Sequence, residues 1–181
     1  MVGLKEKCSK YFTYENLICC GESQRESNLS NIPESESSIE AISLLAINIL
    51  DNVYEQFGPI SLTYGFVSWE LISEIRKRRV ARISPSLDQH SSYELNSRGT
   101  RICKRDGLAC DFIVHGVSSV KVASWIIDNC EFDRLYFYGK DRPIHVSYGP
   151  DLSGKVSVMS YSSGRLIPKT INKERFIEYV D

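Results

Sequence analysis

A chain of 181 residues suits one domain, or one domain with an appendage, and its 42% hydrophobic and 25% charged residues are enough to bury a core. With 22 lysines and arginines against 23 acids the net charge is −1, which excludes a global field drawing the protein to nucleic acid or a membrane. No apolar run has the length of a membrane span, and MVGLKEKCSKYF lacks the apolar centre of a secretory signal, so a cytoplasmic protein is expected.

In that compartment the six cysteines, Cys8, Cys19, Cys20, Cys103, Cys110 and Cys130, are expected as free thiols. No C-x-x-C pair occurs, which argues against a four-cysteine zinc site. Adjacent Cys19 and Cys20 read as small buried residues. A short helix is expected from Thr13, its N-cap, through Leu17 and Ile18. GESQRESNLSNIPESES is polar and without periodicity, and reads as a surface loop. Ser37 and Glu40 then form a capping-box pattern. Ile42, Leu45, Ala46, Ile49, Leu50 and Val53 follow as one apolar helical stripe, ended by Gly58 and Pro59.

PISLTYGF alternates and predicts a strand; Ser68 predicts the cap of a helix turning Trp69, Ile72 and Ile75 inward. The basic run RKRRVAR, residues 76–82, reads as a solvated helix end, because no aromatic residue is interleaved with it. Ser84 to Asp106 is mostly loop, with one helical turn near SSYELN. GLACDFIV is a buried strand, and SSVKVASWIIDN an amphipathic helix capped by Ser118 or Ser119. RLYFYG, PIHVSYG and KVSVMSY are β-rich runs that suggest an antiparallel meander, and NKERFIEYVD a closing helix. The order predicts an α+β fold with helices packed on an antiparallel sheet.

The chain has three histidines, His90, His115 and His145. His145 lies in an alternating strand, with Ser147 on its face and Ile144 and Val146 on the other. Asp111 sits between Cys110 and Phe112 in an apolar strand, where a carboxylate needs a partner or a cation. Two histidines and a carboxylate suffice for a three-ligand zinc site with an open position. The same residues also fit a plainer reading, with Asp111 paired to an arginine and each histidine satisfied separately.

A series of segments in order, from Tyr11 to Tyr148, resembles the zinc D-Ala-D-Ala carboxypeptidase and L-alanyl-D-glutamate peptidase family, whose fold is shared by the hedgehog signalling domain. YFTYENLICC resembles its N-terminal segment. NIPESESSIEAISLLAINILDNVYEQFGPISLTYGFVS resembles the helix that ends at a Phe-Gly pair before a strand and a SGYRS-like turn. DQH resembles SQH, GLACDF resembles GxAxDF, and FDRLYFYGKDRPIHVSYG resembles the closing segment with its IHVS. The resemblance implies zinc as cofactor and His90, Asp111 and His145 as ligands. It also implies a peptide or other amide as substrate, a cell-wall-type peptide being the family default.

Three departures accompany it. Residues 91–106 are an insertion between ligands that typically lie a few residues apart, and ELNSRGTRICKRDG within it is a candidate substrate cover. The family's acidic base falls at Arg142, with Asp141 one residue further back, on the other face of a strand unless a bulge re-aims it. The arginine of the SGYRS-like turn is Val67, which leaves Arg142, Arg101 or Arg105 to stand in. Tyr64 and Tyr148 are candidate hydrogen-bond donors. A hydrolase, a degenerate binding module and a nucleic-acid-associated protein, the last resting only on the basic run and the insertion's arginines, all remain open at this stage.

Overall fold

A computed structural model describes residues 3–77, 84–162 and 165–180. Most of the basic run, from residue 78 onward, lies outside the described residues. The first helix, α1 (Tyr14–Leu17), begins as expected, with the Thr13 backbone N–H donating to the Asn16 side chain at 2.9 Å. A second helix, α2 (Gly21–Ser27), stands where a loop was expected. It carries no apolar stripe, so periodicity could not announce it.

The apolar stripe forms one long helical run. α3 (Glu36–Leu45) passes through a π-helical segment (Ala46–Leu50) into α4 (Asp51–Phe57). Ile42, Leu45, Ala46, Ile49, Leu50 and Val53 are all fully buried. Gly58 ends the run at φ 86°, a conformation only glycine adopts freely. The N-cap is Ser35 rather than Ser37. Glu94, from the inserted segment, accepts the backbone N–H groups of Glu34 and Ser35, so an outside carboxylate complements this helix start.

Six strands make one mixed sheet in the order β1-β2-β4-β3-β5-β6. They are β1 (Ile60–Tyr64), β2 (Leu108–Val114), β3 (Arg134–Phe137), β4 (Ile144–Tyr148), β5 (Lys155–Ser162) and β6 (Arg165–Ile171). All neighbours are antiparallel except β3 and β5. The expected meander is therefore corrected: β3 and β4 form a hairpin, but β5 crosses to the far edge of β3 and runs parallel to it. The cause is local. The other edge of β4 is already taken by β2, and the buried Asp133 anchors the returning chain beside the start of β3. Ser153 Oγ donates to the Asp133 carboxylate at 2.6 Å, and the Lys155 N–H to its carbonyl at 3.0 Å. β6 escaped the sequence reading because Pro168 interrupts it, and proline is tolerated there because β6 is an edge.

The helix predicted after Ser68 is α5 (Trp69–Lys77), with the Leu71 N–H donating to Ser68 Oγ at 3.3 Å. It buries Leu71, Ile72 and Ile75 while Trp69 is only half-buried. Ser118 caps α6 (Ser119–Asn129), and α7 (Phe176–Val180) closes the chain. Leu108, Cys110 and Phe112 of β2, Leu135 and Phe137 of β3, and Ile144 and Val146 of β4 face the main core with α3 and α6. The alternate residues Asp111, Tyr136 and His145 face the opposite way, under residues 84–107. Among the described residues no helix is long and apolar enough to cross a membrane.

Candidate metal centre

Strand register, rather than any local motif, assembles the site. Tyr64 is paired with Asp111, Asp111 with His145, and His145 with Tyr136, so these four form a row across β1, β2, β4 and β3. A bulge in β1 between Leu62 and Tyr64 puts Tyr64, not Thr63, at the end of that row. Thr63 instead donates from its hydroxyl to the Asp111 carbonyl at 3.1 Å.

His90 reaches the row from the loop before β2. Its ring lies edge-on to His145 at 4.9 Å and to Tyr64 at 4.7 Å. His90 Nδ1–H donates to the Gly65 carbonyl at 2.9 Å, which leaves Nε2 as the nitrogen facing Asp111 Oδ1 at 3.5 Å. His145 Nδ1 is 2.8 Å from the same oxygen. One donor atom from each residue lies within 4.8 Å of the others. These three side chains therefore form a group able to hold a metal ion.

Their geometry suits a small ion. Tetrahedral ligands at zinc distances are about 3.3 Å apart. The 3.5 Å separation already meets that, and the 2.8 Å contact needs to open by only about half an ångström. The Gly65 carbonyl holding Nδ1 of His90 is the kind of outer contact that fixes a ligating tautomer. The Nε2 atom of His145 is buried without a hydrogen-bond partner among the described residues. Exposure is uneven: the His90 and His145 side chains are 6% and 3% exposed but that of Asp111 is 25%, so the trio opens to solvent at the carboxylate. Burial opposes charge on Asp111, yet the imidazoles of His90 and His145 outweigh it and hold the carboxyl well below the usual range. Burial likewise opposes charge on His90, and the Asp111 carboxylate beside it raises its pKa all the same.

Two residues that flank His90 explain why it stays in place. Gln89 and Ser92 take left-handed backbone angles, φ 60° and 46°, which are costly for non-glycine residues and gather at functional sites. The Gln89 side chain, itself fully buried, offsets that strain with three hydrogen bonds. Its amide nitrogen donates to the Asp133 carboxylate at 2.9 Å and the Asp106 carbonyl at 2.6 Å, and its oxygen accepts from Ser147 Oγ at 2.9 Å. The loop is thereby tied to β4 two residues beyond His145. The tripeptide DQH was visible in the sequence, but nothing there told that its glutamine would carry this load.

The remaining sequence candidates divide. Tyr64 is at the site, and burial pushes its phenol up so that it stays a hydrogen-bond donor. Tyr148 points with Ile144 and Val146 into the main core, so it is not a donor to this site. Asp141 and Arg142 are exposed in the turn before β4, and neither bonds to the trio. The backbone of that turn is held instead by Ser119, which donates to the Arg142 carbonyl at 2.7 Å. No bulge at Pro143 turns Asp141 inward. Arg101 is spent on Asp106 at 3.0 Å and stacks on Tyr93, while Arg105 donates to the Leu87 carbonyl and to Tyr136 Oη.

Sequence reasoning gave no role at the trio to Asp88, Tyr136 or Tyr138. Asp88 lines a small depression with Tyr64, Val67, Ile72, Pro85 and His90. Its Oδ2 accepts the Ser84 N–H at 3.1 Å, and its Oδ1 is buried with no partner among the described residues. Tyr136 stands edge-on to His145 at 5.0 Å. Burial, followed by the nearby charge of Asp111, pushes the Tyr138 phenol up. The only advance signal for the two tyrosines was the alternation in RLYFYG, which puts them on the face of β3 away from Leu135 and Phe137. Compared with known protein families, curated proteins and solved structures, the chain matches none.

Proposed function

We propose that the protein is a zinc-dependent hydrolase of a peptide or related amide bond, with a cell-wall-type peptide as the substrate class that the carboxypeptidase resemblance implies. The observation that carries this reading is the convergence of His90 Nε2, Asp111 Oδ1 and His145 Nδ1 from a loop and two strands, with only the carboxylate side open. An ion held there would polarise a carbonyl and activate water at neutral pH. Tyr64, which keeps its phenolic proton, would donate a hydrogen bond to a ligand there. Asp88 Oδ1 replaces Asp141 as the candidate proton acceptor, because it is the buried, unpartnered carboxylate oxygen in the depression lined by His90 and Tyr64.

A second reading is supported by the exposed positions of Asp141 and Arg142. A chain that keeps the ligands but has neither group at the trio would use the site to bind rather than cleave. Metal analysis, followed by incubation of the zinc-loaded protein with muropeptides with and without chelator, separates the two. The hydrolase predicts a chelator-sensitive product that Asp88→Asn reduces by about 100-fold or more. Stoichiometric zinc with no product favours the binding module, and failure to bind any divalent ion removes both.

A further inference from the structure

Arg105 is the charged group beside the trio that the proposed chemistry leaves unused. It lies at the end of the inserted segment, half-buried, and its Nη1 donates both to the Leu87 carbonyl and to Tyr136 Oη, the latter at 3.3 Å. Tyr136 is the register partner of His145 and stands against its ring. The guanidinium is thus fixed to the side chain that borders the trio on its β3 side.

Two other arginines of this region are committed. Arg101 pairs with Asp106, and Arg134 has Asp133 within 3.9 Å. Arg105 has no carboxylate within ion-pair range among the described residues. Both of its hydrogen bonds use one nitrogen, so its Nη2 and Nε hydrogens have no partner among those residues. A strut between Leu87 and Tyr136 needs only the edge already used. The free edge is a planar pair of donors of the kind that grips a carboxylate or phosphate through two parallel bonds.

We propose that Arg105, seated on Tyr136, is an anion-binding arm, and that the ligand carries a carboxylate or phosphate next to the group facing His90, Asp111 and His145. This deepens the zinc-hydrolase reading and rests on it for what occupies the trio; the arm itself is read from Arg105 alone. It assigns the insertion a task in selection: an anionic amide is accepted and its neutral counterpart is not.

The test uses the full chain loaded with Co2+, titrated with butyrohydroxamate, with the carboxylate-bearing monohydroxamate of succinic acid, and with the matching phosphonate, and followed by the cobalt absorption bands. At least one anionic probe should bind about tenfold more tightly than the neutral one, and the better of the two distinguishes a carboxylate ligand from a phosphate. Arg105→Gln, which keeps a neutral donor for Tyr136, should erase the preference while leaving butyrohydroxamate affinity within about twofold. Arg105→Lys should restore part of it. Equal affinities for all three probes in the unaltered protein would overturn the arm and leave the metal centre intact. If Co2+ does not bind, the hydrolase reading fails, and the arm is decided by NMR of the metal-free protein: a shift of the Arg105 Nε–H on adding inorganic phosphate but not chloride upholds it, and no shift overturns it.

Discussion

Residues 84–107 contain almost no regular secondary structure, yet Gln89, Ser91, Ser92 and Cys103 are fully buried there. β5 and β6 pair without a register break from Val156–Ile171 to Ser162–Arg165, yet Tyr161 is 74% exposed and Ile167 45%. What places an atom firmly is the number of buried bonds that would be lost if it moved, and a ladder of backbone bonds open to water supplies few of these. The loop carries one residue of the trio and is stitched to β4 and Asp133. The hairpin extends the sheet without building the site. The comparison makes a graded set of predictions.

The largest effect falls on the trio, if it holds zinc as proposed. His145→Ala or Asp111→Asn should lower zinc affinity by more than about 100-fold, measured by competition with a chromophoric chelator. Folding stability comes next, at the end of the loop. A Cβ on Gly107, at φ 92°, would lie 2.1 Å from the Tyr148 carbonyl oxygen, so Gly107→Ala should cost about 3 kcal/mol or more in urea unfolding. Gln89→Leu leaves Asp133 and Ser147 short of partners and should cost about 2–3 kcal/mol, with about tenfold weaker zinc binding. Loss of stability without loss of zinc affinity would break the link drawn between the Gln89 network and His90.

A smaller effect is set by pH. In metal-free protein the raised pKa of His90 contributes stability that is complete below its ordinary value of 6.5 and is lost as pH rises. The lowered pKa of Asp111 contributes stability that is present above its ordinary value of 3.8 and is lost as pH falls. The urea midpoint should therefore be highest between those values. Zinc affinity should move the other way and rise with pH, because the ion competes with protons for the same nitrogens. The smallest effect belongs to the hairpin, where Tyr161→Ser should change stability by less than about 0.5 kcal/mol. A much larger loss would mean that β5 and β6 are covered in solution.

The helices were legible wherever one face is buried. The stripe from Ile42 to Val53 and the strand GLACDFIV announced themselves because burial imposes a period on the sequence. α2 and β6 did not, since neither has an apolar face long enough to create one. The trio was legible as residue types, and its convergence depends on pairings that single strands do not encode: Asp111 opposite His145, and Tyr136 opposite His145 on the other side. Asp141 and Tyr148 looked attractive because they are near His145 in sequence. Strand alternation sends Tyr148 into the main core, and the turn ahead of Pro143 leaves Asp141 in water. Gln89 was overlooked for the opposite reason, since its value comes from a fold around it that the chain completes only some forty residues later, at Asp133.

The extra residue in β1 has an evolutionary consequence. Thr63 is accommodated outside the pairing, so the aromatic wall beside His90 depends on a single surplus position in an outermost strand. Straightening the strand so that Thr63 joins the ladder would bring a short hydroxyl side chain opposite Asp111 and carry the phenol one position on, with His90, Asp111 and His145 unaltered. The breadth of the entrance can thus be retuned by a register change alone, at a strand that has a neighbour on only one side.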